Sequence, residues 1–133
     1  MKPAEIEYAR LRLESAQETL SEARLLLNSG FLKGTVNRIY YACFYAVNAL
    51  LFSEGLSSSK HGGVISLFNR YFIKTGRLPG DMGKLYGKIF EMRQEGDYEE
   101  TTKFDQHEVE DLLSYAQSFI EQIADWLRTN KSV

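Results

Sequence analysis

A chain with one cysteine cannot close an internal disulfide, and Cys43 is the sole cysteine in these 133 residues. It lies in the apolar run YYACFYAV, Tyr40 to Val47, and reads as a small core residue rather than a reactive thiol. Prolines are almost as scarce. Pro3 and Pro79 each sit where a helix could begin or a turn could form, so nothing breaks a long helix from within. The two histidines, His61 and His107, fall in different segments, and no H-x-x-x-H, E-x-x-H or C-x-x-C spacing occurs, so no metal is expected. There is no P-loop and no G-x-G-x-x-G after a strand, hence no cofactor is implied. A formal net charge of -2 provides no global basic field; DNA is not an expected partner, and any nucleic-acid contact needs a local patch. No apolar stretch approaches the roughly 18–20 residues that cross a bilayer. The N-terminal MKPAEIEYARLRLESAQ is charged throughout and lacks an apolar signal core. The expectation is a cytoplasmic protein without membrane contact.

What is present is helical periodicity. The length fits one domain, residues 1–133, large enough to bury a core without disulfides or metals. From about Ala4 to Asn28, the residues Ala9, Leu13, Ala16, Leu20, Ala23 and Leu27 form one stripe, with Gly30 placed to terminate the helix. From about Lys33 to Glu54, Val36, Tyr40, Cys43, Val47 and Leu50 repeat that spacing, and Ile39, Phe44 and Leu51 widen it. This second helix is apolar on most sides and should be central, with Gly55 closing it. A third segment opens at SSSK, with Ser58 or Ser59 as the predicted N-cap, and breaks at Gly76 and Pro79. A fourth runs from about Asp81 to Gln94, followed by EGDYEETTK as a polar connection. The fifth begins at Asp105, where Asp105 and Glu108 approximate a capping box, and carries a long stripe from Val109 to Leu127. No segment alternates with period two. The predicted fold is all-α: an up-and-down four-helix bundle with a shorter fifth helix.

Four places could carry chemistry. KHGGV puts Lys60, His61 and two glycines at a helix start, where free N–H groups and the dipole can hold an anion; the alternative role of Gly62 and Gly63 is only to let that turn pack closely. In NRIYYACFYA, Arg38, Tyr41 and Tyr45 share one helix face. Arg38 could pair with a carboxylate, hold a phosphate, or lie along the surface with its stem packed. In EMRQEGDYEE, residue physics alone places Arg93 in a last helical turn, lets Gly96 end the helix and lets Asp97 begin the next turn. Finally, the aromatics Tyr40, Tyr45, Phe52, Tyr71 and Phe72 exceed what so small a bundle must bury, which predicts that some of them form an exposed apolar patch for a partner; the alternative is that all of them fit inside.

Taken together, NRIYYACFYAVNALL, then SSSKHGGVISLFNRYFIKTGRLP, then MRQEGDY resemble the HEPN superfamily (higher eukaryotes and prokaryotes nucleotide-binding domain), and its small stand-alone prokaryotic branch in particular. The resemblance implies a helical bundle, a homodimer, a nucleotide or RNA ligand, and a minimal nucleotidyltransferase as partner in a toxin–antitoxin pair. Many members are metal-independent endoribonucleases whose motif is an Arg, a short spacer, a His and often a Tyr. Here Arg93 matches the motif arginine and Tyr98 its tyrosine, but Asp97 stands near the place of the histidine. An ionised aspartate repels phosphate, whereas a near-neutral imidazole can move a proton. His61 could supply the missing ring if the third helix starts beside the end of the fourth. Arg38, Lys60, His61, Arg93, Asp97, Tyr41 and Tyr98 would then form one cluster around an anion-holding pocket. In that cluster Arg38, Lys60, His61 and Arg93 would bind phosphate, Asp97 and Tyr41 would support them, and Arg93, His61 and Tyr98 would serve any catalysis. The primary expectation is a nucleotide- or RNA-phosphate-binding interaction domain; the alternative is an endoribonuclease toxin with a rearranged site.

Overall fold

The computed structural model describes residues 1–133 as five α-helices and no strand. They are α1 (Pro3–Asn28), α2 (Leu32–Ser53), α3 (His61–Phe68), α4 (Gly80–Tyr98) and α5 (Gln106–Lys131), with a π-helical turn, Asn69–Ile73, continuing α3. Four long helices and one short one match the pattern read from the sequence. No helix is long and apolar enough to cross a membrane.

Helix α2 is the hub. It packs chiefly on α1 and also meets α5, α4 and α3. Twelve of its residues are buried, including Val36, Ile39, Tyr40, Cys43, Val47, Leu50 and Leu51. Small residues set the close α1–α2 approach: Ala9, Ala16 and Ala23 on α1 and Ala42, Ala46 and Ala49 on α2 are all fully buried. With so little side chain between them, the two helices gain dispersion contacts along most of their length.

The turns follow from glycine. α1 and α2 both end in a Schellman arrangement. Gly30 (φ 81°) and Gly55 (φ 71°) adopt the left-handed region, while Phe31 and Leu56 donate back to the Leu26 and Leu51 carbonyls at 2.9 Å. A Cβ at Gly55 would meet nothing within 4 Å, so Gly55→Ala isolates the backbone term. It should lower stability by about 1 kcal/mol, read as a shift in the urea midpoint at constant slope.

Three expectations need correction. The N-cap of α3 is Lys60, not Ser58 or Ser59, and no side chain caps it; Ser58 instead accepts from the Lys60 N–H at 3.3 Å in the preceding turn. A Cβ at Gly63 would collide with that Ser58 hydroxyl, so Gly63 is small for packing. The exposed aromatic patch does not form as read: Tyr40 and Phe72 are fully buried and Tyr45, Phe52 and Tyr71 partly so. Phe72 packs edge-on against Trp126 of α5, and Tyr40 stacks on Tyr86 of α4; inter-helix ring packing absorbs both.

The third correction matters most. α4 does not stop near Gln94 but runs through Gly96 to Tyr98. Phe104, from the following loop, lies over Gly96, where a Cβ would stand 3.0 Å from its Cε2. Lys33 of α2 reaches across to the helix end and donates Nζ to the Glu99 and Glu100 carbonyls at 3.3 and 3.2 Å. Those contacts pin the chain just past the helix end and offset the cost of about 1 kcal/mol for glycine in a helix. α5 starts as expected, with Asp105 accepting from the Glu108 N–H at 3.1 Å.

Candidate functional site

Because α4 continues, Arg93 and Asp97 stand one turn apart on the same face rather than on either side of a helix end. Arg93 is buried, and its Nε lies 2.9 Å from Asp97 Oδ2, an ion pair not aligned as a hydrogen bond. One terminal nitrogen, Nη2, donates to the Tyr41 hydroxyl at 3.0 Å. The guanidinium also sits 5.3, 5.4 and 5.9 Å from the ring centres of Tyr40, Tyr41 and Tyr98. Such faces attract a cation, which helps a partly dehydrated charge remain where it is. The other terminal nitrogen, Nη1, makes no hydrogen bond within the chain.

The second group arrives from α3. His61 is its first residue, and its Nδ1 is 2.7 Å from the Tyr40 hydroxyl. The imidazole packs against Phe44, Tyr40 and Tyr41, with centroids 4.8, 5.5 and 5.9 Å away. Tyr40 and Tyr41 are neighbours in sequence. Each tethers one functional side chain: Tyr40 holds His61 and Tyr41 holds Arg93.

This environment governs protonation. Burial, then the nearby Arg93 charge, pushes His61 below its usual 6.5, so the ring is neutral near pH 7. Burial pushes Tyr40 up to about 12, although the Tyr86 hydroxyl and Arg93 pull the other way. Burial likewise pushes the Cys43 thiol up, consistent with a core residue. The His61 shift has a signed consequence. With its folded value below the unfolded one, its contribution to stability is fully present above 6.5 and is lost as pH falls through the folded value. Wild-type melting temperature should therefore drop more steeply than that of His61→Gln between pH 7 and pH 5; parallel curves would contradict the assignment.

A third element ties in α2's outer face. Asn37 donates Nδ2 to both Asp97 oxygens, at 3.3 and 3.0 Å, and its own Oδ1 accepts from Arg38 Nε and Nη2 at 3.1 and 2.7 Å. Arg38 also lies 5.2 Å over the Tyr41 ring and 3.6 Å from Glu22 of α1. One chain of contacts thus runs Arg38–Asn37–Asp97–Arg93–Tyr41.

Of the residues singled out from the sequence, Arg38, Tyr41, His61, Arg93 and Asp97 are brought together. Tyr98 borders the guanidinium but is 73% exposed, so it is the edge of the cluster and not its floor. Lys60 is exposed at the α3 N-cap and pairs with no carboxylate. The cavities in this fold are lined by other residues, mainly along the α4–α5 seam and around the α3–α4 turn. Tyr40 and Tyr41 each stand against both His61 and Arg93, and Asp97 occupies one edge of the guanidinium. Asn37 and Tyr40 were missed as members. Asn37 heads the NRIYY block one turn before Tyr41, but an Asn on a half-buried helix carries no chemical signature by itself. Tyr40 looked like core or partner surface, and only the third dimension shows its hydroxyl meeting a histidine.

A bundle whose second, third and fourth helices bring paired tyrosines, a neutral histidine and an arginine together is an all-α protein with a polar cluster between its helices. The HEPN domain family matches residues 9–126, and the chain belongs to that family. It is 48% identical to a UPF0332 protein of Thermotoga maritima over 118 residues, 89% of this chain and 87% of the relative. Two proteins of Methanocaldococcus jannaschii named as candidate toxins are also similar. One is 33% identical over 96% of this chain and 88% of its own length, the other 34% over 87% and 86%.

Proposed function

We propose that this chain is a HEPN-family domain that binds nucleotide or RNA phosphate and acts, as a homodimer, in a two-gene toxin–antitoxin module with a minimal nucleotidyltransferase. Family membership and the two relatives named as candidate toxins support the toxin-type setting. One observation carries the ligand. Arg93 and His61 are each fixed by one nitrogen to adjacent tyrosines, and each keeps another nitrogen, Nη1 and Nε2, without a partner in the chain. A phosphate oxygen accepts from both kinds of donor, and an arginine already ordered loses less entropy when it does so. Asp97 tempers the site: an incoming anion competes with it for Arg93.

A second reading, a metal-independent endoribonuclease, is favoured by the neutral His61. If Nδ1–H donates to the Tyr40 oxygen, Nε2 carries a lone pair able to take a 2′-hydroxyl proton. If the Tyr40 hydroxyl donates instead, Nε2 is a donor and suits binding only. The two readings therefore need opposite tautomers: a phosphate needs the Nε2–H, whereas a general base needs the Nε2 lone pair.

The test is incubation of metal-free protein with labelled RNA, together with Arg93→Ala and His61→Ala, and a thermal-shift titration with nucleotide. Nucleotide-dependent stabilisation of wild type without cleavage supports binding. Cleavage lost in both variants supports the nuclease. The absence of both responses would remove the phosphate ligand from the account.

A further inference from the structure

The tyrosine row on α2 does not end at the Arg93 centre. Tyr41 and Tyr45 are 6.3 Å apart, and three arginines from three helices lie over these rings. Arg93 of α4 and Arg38 of α2 cover Tyr41 at 5.4 and 5.2 Å. Arg12 of α1 lies 5.6 Å from Tyr45 and 5.6 Å from Tyr8, another α1 residue one turn earlier. Tyr8 is 45% exposed and in turn packs on Phe52 at 4.4 Å.

The three arginines differ in what neutralises them. Asp97 faces Arg93 at 2.9 Å and Glu22 faces Arg38 at 3.6 Å. Arg12 pairs with no carboxylate, and its Nε is buried without a hydrogen-bond acceptor. A half-buried guanidinium held between two tyrosines and left uncompensated is costly in a fold that pairs its other two. An anion from outside the chain would neutralise it. An exposed aromatic face beside it, on a continuous aromatic row leading to a second arginine, is the composition that holds successive nucleotides: a phosphate on the cation and a base on the ring.

We propose that Arg12, Tyr8 and Tyr45 form a second phosphate-and-base subsite for single-stranded RNA, joined to the Arg93 centre by Tyr41 and Tyr45. This inference rests on the phosphate-binding reading of the Arg93 centre and adds the class of ligand: a strand, not a mononucleotide. A mononucleotide occupies the Arg93 centre alone, because two tyrosine rings separate it from Arg12.

The test compares uridine 5′-monophosphate with a short, labelled, single-stranded oligouridylate carrying 2′-O-methyl sugars, which resists cleavage. Arg12→Gln should weaken oligomer binding about 10-fold at low salt and reduce the slope of log K against log salt by about 0.7, the value for one lost phosphate contact on a single strand. It should leave monophosphate binding unchanged. Tyr8→Ala should weaken the oligomer about 5-fold with no change in slope, since stacking is lost without charge. Arg93→Ala should weaken both ligands. Matching melting temperatures for wild type, Arg12→Gln and Tyr8→Ala confirm that folding is not the cause. The subsite is overturned if Arg12→Gln binds the oligomer with wild-type affinity and slope while Arg93→Ala still loses the monophosphate; the Arg93 centre then stands alone. It is also overturned if Arg12→Gln leaves RNA binding intact but dissociates a dimer in sedimentation, which would make Arg12 a protein contact. If wild type binds neither ligand, the subsite and the phosphate-binding reading fall together.

Discussion

Replacing Arg93 by alanine should lower the unfolding free energy by about 2–3 kcal/mol and abolish nucleotide-dependent stabilisation. Removing one member of a wholly buried ion pair costs about 3–5 kcal/mol. Here the Asp97 side chain is 26% exposed and keeps both Asn37 hydrogen bonds, so water and Asn37 absorb part of the loss. The remainder has three sources: Tyr41 loses its donor, three aromatic rings lose the cation above them, and a cavity opens where the side-chain stem lay. In thermal denaturation this amounts to about 10 °C for a domain of this size. Arg93→Met separates packing from charge. It refills the cavity with an apolar stem and should recover most of the stability, while nucleotide binding stays lost. Recovery of binding in the methionine variant would mean that the guanidinium does not hold the anion.

The largest effect on stability alone is expected at Phe68. It is fully buried and touches rings from three directions: Phe72 in the π-helical turn at 6.4 Å, Tyr86 of α4 at 5.7 Å and Phe119 of α5 at 5.7 Å. Phe68→Ala should cost about 3–5 kcal/mol, measured by urea denaturation, against less than about 0.5 kcal/mol for Tyr115→Ala at an exposed position. The variant also tests how the site is built. α3 has only 8 residues, too few to persist in water without tertiary support, and it is anchored by Val64 and Phe68. Because His61 opens that helix, loosening Phe68 should release the His61–Tyr40 contact. The extra acid sensitivity assigned to His61 should shrink in Phe68→Ala. If stability falls while that sensitivity persists unchanged, α3 is held at its N-terminus by something other than its buried ring.

How much of this was legible in advance varies with the range of the interaction. The long stripes of α1, α2 and α5 were readable because burial repeats at the helical period. The stops at Gly30 and Gly55 were readable because only glycine takes a left-handed C′ position cheaply. The start of α3 was misread because its serines fold into a turn ahead of the helix instead of capping it. Its π-helical continuation had no sequence signal; it lies where α4 approaches at Gly83, a Cβ at which would stand 2.8 Å from Asn69 Oδ1.

The sequence by itself determined an all-helical fold, its family, and the identities of the arginines, the histidine and the tyrosines available for chemistry, because composition and helical period are local properties. Tertiary structure decided the rest. It carried α4 past Gly96 through contacts from Phe104 and Lys33, neither adjacent in the chain. It placed His61 and Arg93 on the neighbouring Tyr40 and Tyr41 of a third helix, enlisted Asn37, and left Arg12 without a carboxylate. No helical period encodes which ends of which helices meet; that is set by how the side chains of α2 fill the space shared with α1, α3 and α4.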